Sequence, residues 1–243
     1  MIFLFFSIMI NTLLSSDMIK NVIEKTNYEF KKVVDFQAEM TVDLSVPGLR
    51  MPKKVYKVYF KQPNKFIANT TGFGVLPNTG LFTSPKDNFD NLKEISIVNN
   101  FKSNEVNHIL ISGVLIADSL KAQFPNEYAK LSFDPMVDVI VDTNRWVITT
   151  VTSRIDTLKL FEIKNDYKLF NNKYHLPTSS KVEYFIKDSR LASWLKKDTN
   201  VIMGSKNMVP DADVIKGTII IEYSNYKINK GIPDRVFKPK KDK

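Results

Sequence analysis

Between Asp35 and Leu44 the chain alternates strictly. Phe36, Ala38, Met40, Val42 and Leu44 fall on one parity, and Asp35, Gln37, Glu39, Thr41 and Asp43 fall on the other. Only an extended strand gathers every second side chain onto one face; a helix would scatter the same apolar set around its circumference. This run constrains the fold more than any other feature, because a strand with one apolar and one wet face needs partners on both edges and a cover on one side. After Pro47-Gly48 the pattern resumes over Lys54 to Gln62, with Tyr56, Val58 and Phe60 on one face and Val55 and Tyr59 beside Lys57 and Lys61 on the other. Pro63-Asn64-Lys65 then turns the chain into a third strand, Phe66 to Thr71.

Upstream, Met1 to Ser16 carries no charge, and Ile2 to Leu14 is apolar except for Ser7, Asn11 and Thr12. That length suits the core of a signal peptide and is short for a membrane span. A signal peptide over residues 1–16 is the expectation, with a retained N-terminal anchor and a buried core segment as the other readings. Asp17 to Val34 reads as a helix with Asp17 as N-cap, its apolar stripe formed by Ile19, Val22, Ile23, Phe30, Val33 and Val34.

Downstream of Thr71, glycines and prolines break the pattern to Pro85, with apolar Phe73, Val75, Leu76, Leu81 and Phe82 among them. Two readings of Gly72 to Pro85 stay open: a mobile lip over a cavity, or side chains tucked under the sheet as core. Leu92 to Val98 is a short helix or strand, His108 to Ala117 an apolar run, and Ser119 to Leu131 a short helix. From Val137 the chain reads as an antiparallel meander: Val137 to Val141 and Arg145 to Val151 around Asp142-Thr143-Asn144, then Leu158 to Lys164 and Tyr167 to Phe170 around Asn165-Asp166, then Lys181 to Lys187 after Leu176-Pro177. Asp188 to Lys197 is expected as a helical insertion and Thr199 to Lys216 as a long loop. Thr218 to Asn225 is the last firm strand, with a brief pairing at Val236-Phe237. No repeat or linker divides the chain, so residues 17–243 are expected to form one domain.

The inventory excludes several chemistries. Cysteine is absent, which removes disulfides, thiolate metal sites, a Cys nucleophile and lipid attachment through an N-terminal Cys. The 2 histidines, His108 and His175, lack metal-ligand spacing. No nucleophile elbow or phosphate-cradling glycine motif occurs, and Gly72-Phe73-Gly74 is a bend. No catalytic residue, metal or cofactor is therefore expected. The net charge of +9 permits an anionic partner, but it comes mostly from scattered lysines, and the few arginines (Arg50, Arg145, Arg154, Arg190, Arg235) offer no array of phosphate or base forks. Nucleic acid is not an expected partner.

The segment Lys57-Val-Tyr-Phe-Lys-Gln-Pro-Asn-Lys-Phe66 resembles the strand–turn–strand unit of the LolA/LolB-type lipoprotein carrier family, and the Ile232-Pro233-Asp234-x-Val236-Phe237-x-Pro239 end resembles that family's C-terminus. Helix, Pro-Asn hairpin, meander and tail follow in the family's order, over about Asp17 to Pro239. The resemblance implies a mainly β (α+β) fold: an unclosed antiparallel β-barrel or curved sheet, with helices capping its concave apolar face. It implies a periplasmic, monomeric, non-enzymatic protein that holds the acyl chains of lipidated proteins or lipids, with transient contacts to membrane-bound transport partners. A sensory or regulatory lipid-binding module of the same fold is the alternative. The chain departs from the family after the third strand, where the Asp-Gly hairpin is missing, and no arginine takes over the family's cavity-gating role.

The candidate ligand-binding residues are Phe36, Met40, Tyr56, Val58, Phe60, Phe66, Phe73, Leu76, Ile219 and Ile221. They line a cavity only if the sheet curls without filling itself; in a packed sandwich the same residues are core.

Overall fold

The alternating run becomes a long strand, and its two edges are both taken. The computed structural model describes residues 2–46, 49–50, 52–71, 82, 84–98, 107–116, 135–186 and 215–238. In chain order the elements are α1 (Ile2–Lys31), β1 (Asp35–Val46), β2 (Leu49–Arg50), β3 (Lys54–Lys61), β4 (Lys65–Asn69), α2 (Pro85–Asp90), β5 (Leu92–Ile97), β6 (His108–Leu115), β7 (Met136–Asp142), β8 (Val147–Ile155), β9 (Leu158–Phe170), β10 (Tyr174–Ile186), β11 (Ile215–Ile228) and a 3-10 turn, Asp234–Phe237. The fold is mainly β and antiparallel, and among the described residues its strands do not close into a barrel. The chain divides into two compact units, one of Met1–Phe30 and Ser84–Lys159, the other of Lys31–Thr83 and Leu160–Lys243.

In the first unit the strand order is β8-β7-β6-β5. Ile111 on β6 sits beside Val139 on β7, which sits beside Val151 on β8, and all three are buried. The opposite parity holds a polar row. Asp138 accepts from Ser112 Oγ at 2.6 Å and from Arg154 Nε at 2.6 Å, so its charge is paired where two strands cover it. The β7–β8 turn is fixed by Asp142, whose carboxylate accepts from the Asn144 and Arg145 amides and from Arg145 Nε at 2.5 Å. Burial pushes the Asp142 carboxyl up, but these donors outweigh it and hold the group below its ordinary value. Helix α1 buries Ile19, Val22 and Thr26, one stripe at helical spacing. Thr26 belongs there because its hydroxyl donates to the Val22 and Ile23 carbonyls of its own helix. Lys25 Nζ lies 4.3 Å over the Trp146 ring, and Asn27 Oδ1 accepts the Lys86 amide at the start of α2.

In the second unit the order is β4-β3-β1-β11-β10-β9, with β2 also paired to β1. The start of β1 is clasped to the chain's far end. The Asp35 carboxylate, 3% exposed as a residue, accepts the amides of Lys230, Gly231 and Ile232 at 2.9, 3.0 and 3.2 Å. Asn229, at positive φ, accepts the Val34 and Asp35 amides and donates to the Lys32 carbonyl. Just outside, Asp234 bridges Lys61 and Lys65, two residues on either side of the Pro63 turn.

Several elements differ from the sequence reading. Asp17 is not an N-cap, since α1 runs unbroken from Ile2, and Val34 lies beyond its end at 51% exposure. Asn165-Asp166 is not a turn: it lies inside the continuous strand β9, where Ser180 Oγ donates to Asn165 Oδ1 and Ser179 Oγ to Asp166 Oδ2 from β10. Those serines supply what a turn would otherwise satisfy locally, and the reversal comes instead at Asn171-Asn172, both at positive φ. Pro177 likewise lies within β10, next to a register shift between Pro177 and Ser179 that absorbs its missing donor. Val236-Phe237 is part of the 3-10 turn and pairs with no strand. Leu92–Ile97 resolves as strand. The expected helices at Ser119 to Leu131 and Asp188 to Lys197 lie outside the described residues, as does the expected loop from Thr199 to Lys216 except for Ile215 and Lys216, which are strand and open β11.

Candidate functional site

The second unit's sheet carries the candidate site on one face, and the strand register decides which residues share it. Phe36 lies opposite Phe60, Ala38 opposite Val58, and Met40 opposite Tyr56 on β3. On the other edge of β1, Met40 lies opposite Tyr223, Val42 opposite Ile221, and Leu44 opposite Ile219 on β11. Phe66 on β4 continues the row from Phe60. The alternation therefore brings Phe36, Met40, Tyr56, Val58, Phe60, Phe66, Ile219 and Ile221 onto a common surface, as the period of two requires. All are buried except Phe66, which is half-buried; Phe36, Met40, Val58 and Ile221 have no exposed surface. Phe73 and Leu76 lie outside the described residues, as does the Gly72 to Leu81 part of the expected lip.

At one end of this face the rings converge. Phe36 stacks on Phe60 with centroids 5.3 Å apart, and Phe82 meets both edge-on, at 5.0 and 4.8 Å. Phe82, Ser84 and Pro85 are the described residues of the expected lip, and Phe82 is half-buried with its ring against Phe36 and Phe60. Tyr226 adds an edge contact to Phe36 at 5.3 Å and touches Phe170 at 5.0 Å. Tyr223 lies 6.2 Å from Tyr226, ring to ring. Aromatic pairs at such spacings contribute roughly 0.5–1.5 kcal/mol beyond their area.

Tyr223 and Tyr226 both belong to this surface, although alternation alone does not place both there, since their numbers differ in parity. A register shift between Gln37 and Glu39 on β1 leaves one extra residue on β11, and Asn225 takes φ 54 to make it. The shift swings Tyr226 to the apolar side. The only signal in the sequence is the Ser-Asn pair before Tyr226, which on its own marks nothing.

The two phenols differ in their bonding. Tyr226 donates to the Pro177 carbonyl at 2.8 Å, whereas the buried Tyr223 oxygen has no hydrogen-bond partner. Burial pushes both phenols well above their ordinary value, and burial also raises Tyr56. The opposite face of the same strands is charged and wet: Lys53 pairs with Asp43 at 3.0 Å, and Lys57 Nζ lies 5.7 Å from the Tyr59 ring. Such a surface offers apolar burial and, among the described residues, the unpartnered Tyr223 hydroxyl. No group of three or more metal-ligating side chains occurs among the described residues.

Comparison with known proteins places the fold. No protein-family model matches the chain, and no curated protein matches it by sequence. Among solved structures, an outer membrane lipoprotein-sorting protein domain from Vibrio parahaemolyticus superposes with a TM-score of 0.51 at 9% identity, over 88% of this chain and 95% of that one. A LolA superfamily protein from Nitrosomonas europaea gives 0.49 at 10% identity, over 90% and 97%. A DUF1329 family protein from Desulfovibrio piger gives 0.49 at 11%, over 90% and 96%. The chain shares its fold with the Vibrio domain.

Proposed function

We propose that this protein is a non-enzymatic carrier of the cell envelope that holds the acyl chains of lipids or lipidated proteins and hands them between membranes or partners. The observation that carries the reading is the continuous apolar row on the β4-β3-β1-β11 face, running from Phe66 through Phe60, Phe36 and Met40 to Ile221, in a fold shared with a lipoprotein-sorting domain. Phe36, Met40, Val58 and Ile221 have no exposed surface in the unliganded protein, so an acyl chain enters by displacing the side chains that cover them. Each buried CH₂ contributes about 0.8 kcal/mol, so a chain of a dozen or so carbons retains several kcal/mol after the costs of association. Binding by burial alone is also readily reversed, which a hand-off requires.

The protein works in the periplasm, reached through a signal peptide over residues 1–16 that is removed near Ser16, leaving residues 17–243 as the acting domain. No helix among the described residues is long and apolar enough to cross a membrane. Edman sequencing of the envelope-fraction protein is expected to begin near Asp17; an intact Met1 on membrane-embedded protein overturns the export step. The carrier reading is tested by organic extraction of the purified mature protein followed by mass spectrometry, with titration of a fluorescent fatty-acyl probe. Co-purified acyl lipid and saturable probe binding are expected. Neither lipid nor probe binding overturns the reading.

A further inference from the structure

One polar atom on the apolar face is unspent. Tyr223 sits in β11 opposite Met40 and two residues beyond Ile221, both buried. Its hydroxyl oxygen is enclosed and has no hydrogen-bond partner. Buried hydroxyls are ordinarily paired, because leaving one unpaired in an apolar setting costs stability. The contrast with Tyr226 is internal to the same ring cluster, since that hydroxyl meets the Pro177 carbonyl at 2.8 Å.

What the Tyr223 hydroxyl lacks is an acceptor. The Phe82 amide is directed toward it but is itself a donor, and the Tyr167 phenol disfavours the ionised form of Tyr223 through space without bonding to it. An acyl ligand brings an acceptor of its own in the carbonyl at the head of its chain.

We infer that the Tyr223 hydroxyl donates a hydrogen bond to the carbonyl oxygen of a bound acyl ester or amide, whose hydrocarbon takes the place of the side chains that cover Met40 and Ile221 in the unliganded protein. The inference rests on the carrier reading and deepens it: the site selects acylated molecules over bare hydrocarbon, and it fixes which end of the ligand lies among the rings. A site built to satisfy a buried donor rejects an analogue that lacks the acceptor, because the donor is then left unpaired.

The test compares the full mature chain with its Tyr223→Phe variant, which keeps the ring and removes only the hydroxyl. Displacement of a fluorescent fatty-acyl probe is measured with methyl palmitate, palmitamide and hexadecane. Wild-type protein is expected to prefer the ester and the amide, and Tyr223→Phe to weaken both about tenfold while hexadecane changes less than about twofold. The unliganded variant is expected to melt about 2–4 °C higher, since the unpaired polar atom is gone. Tyr226→Phe, which breaks a bond already made, is expected to lower the melting temperature and to affect the three competitors alike. Equal ester affinity in wild type and Tyr223→Phe overturns the inference while leaving the carrier reading in place. A uniform loss for all three ligands, or a variant that melts lower or does not fold, shows a structural hydroxyl and also overturns it. Wild-type protein that binds neither probe nor competitor overturns both readings.

Discussion

Replacing Asp35 tests whether the two ends of the second unit are held by one carboxylate. Asp35→Ala removes the acceptor of three amides, at Lys230, Gly231 and Ile232. Hydrogen bonds to a charged group are worth roughly 1.5–3 kcal/mol each when buried. The Ile232 bond is buried and takes that full value, whereas the bonds from Lys230 and Gly231 are part-buried, so water entering the vacated space recovers much of their cost. The sum is a loss of about 3–5 kcal/mol, or about 6–20 °C in melting temperature for a chain of this size. Asp35→Asn keeps the shape and one acceptor oxygen but turns an amide donor toward the remaining N–H groups, so its loss is expected to be about half as large. Urea unfolding followed by circular dichroism gives both values, and a lower midpoint at unchanged slope marks a stability effect. The reasoning is refuted if Asp35→Ala falls within about 1 kcal/mol of wild type, or if Asn is as damaging as Ala.

Other perturbations report on other parts of the molecule. Asp142 is held below the ordinary carboxyl value of 3.8, so it contributes stability above that pH and loses it as pH falls through the still lower folded value; Asp142→Asn is expected to cost about 1–2 kcal/mol at neutral pH and to flatten the acid limb of a stability–pH curve. Phe60→Ala, at a 2% exposed ring between Phe36 and Phe82, is expected to cost about 3–5 kcal/mol. Phe60→Asp at the same site abolishes folding or acyl-probe binding, and a variant normal in both shows that the wrong face was assigned. Arg154→Leu leaves Asp138 with Ser112 alone and is expected to destabilise by about 1–3 kcal/mol. The double variant with Asp138→Leu recovers part of that loss, because the stranded charge is gone; additive losses in chemical denaturation contradict the pairing.

Local pattern determined a good deal of this protein. The period of two from Asp35 to Leu44 and from Lys54 to Gln62 fixed both the strands and their faces, because side-chain parity is a property of the extended backbone itself. Pro63-Asn64 fixed the hairpin and Asp142 the meander turn, each through bonds made within a few residues. That Phe36, Met40, Tyr56, Val58, Phe60, Ile219 and Ile221 share one face was legible for the same reason. Asn165-Asp166 shows where that logic stops. The pair has the composition of a turn, yet it is strand, because Ser179 and Ser180 arrive from β10 to satisfy it. Tyr226 reaches the apolar face only because a register shift between distant strands displaces it, and Tyr223 is left unpaired only because of what surrounds it once folded. Strand identity follows from the order of neighbouring residues. Bonds between residues far apart in sequence have no local signature, and here they decide the bulge, the clasp at Asp35 and which buried hydroxyl, that of Tyr223, goes without a partner.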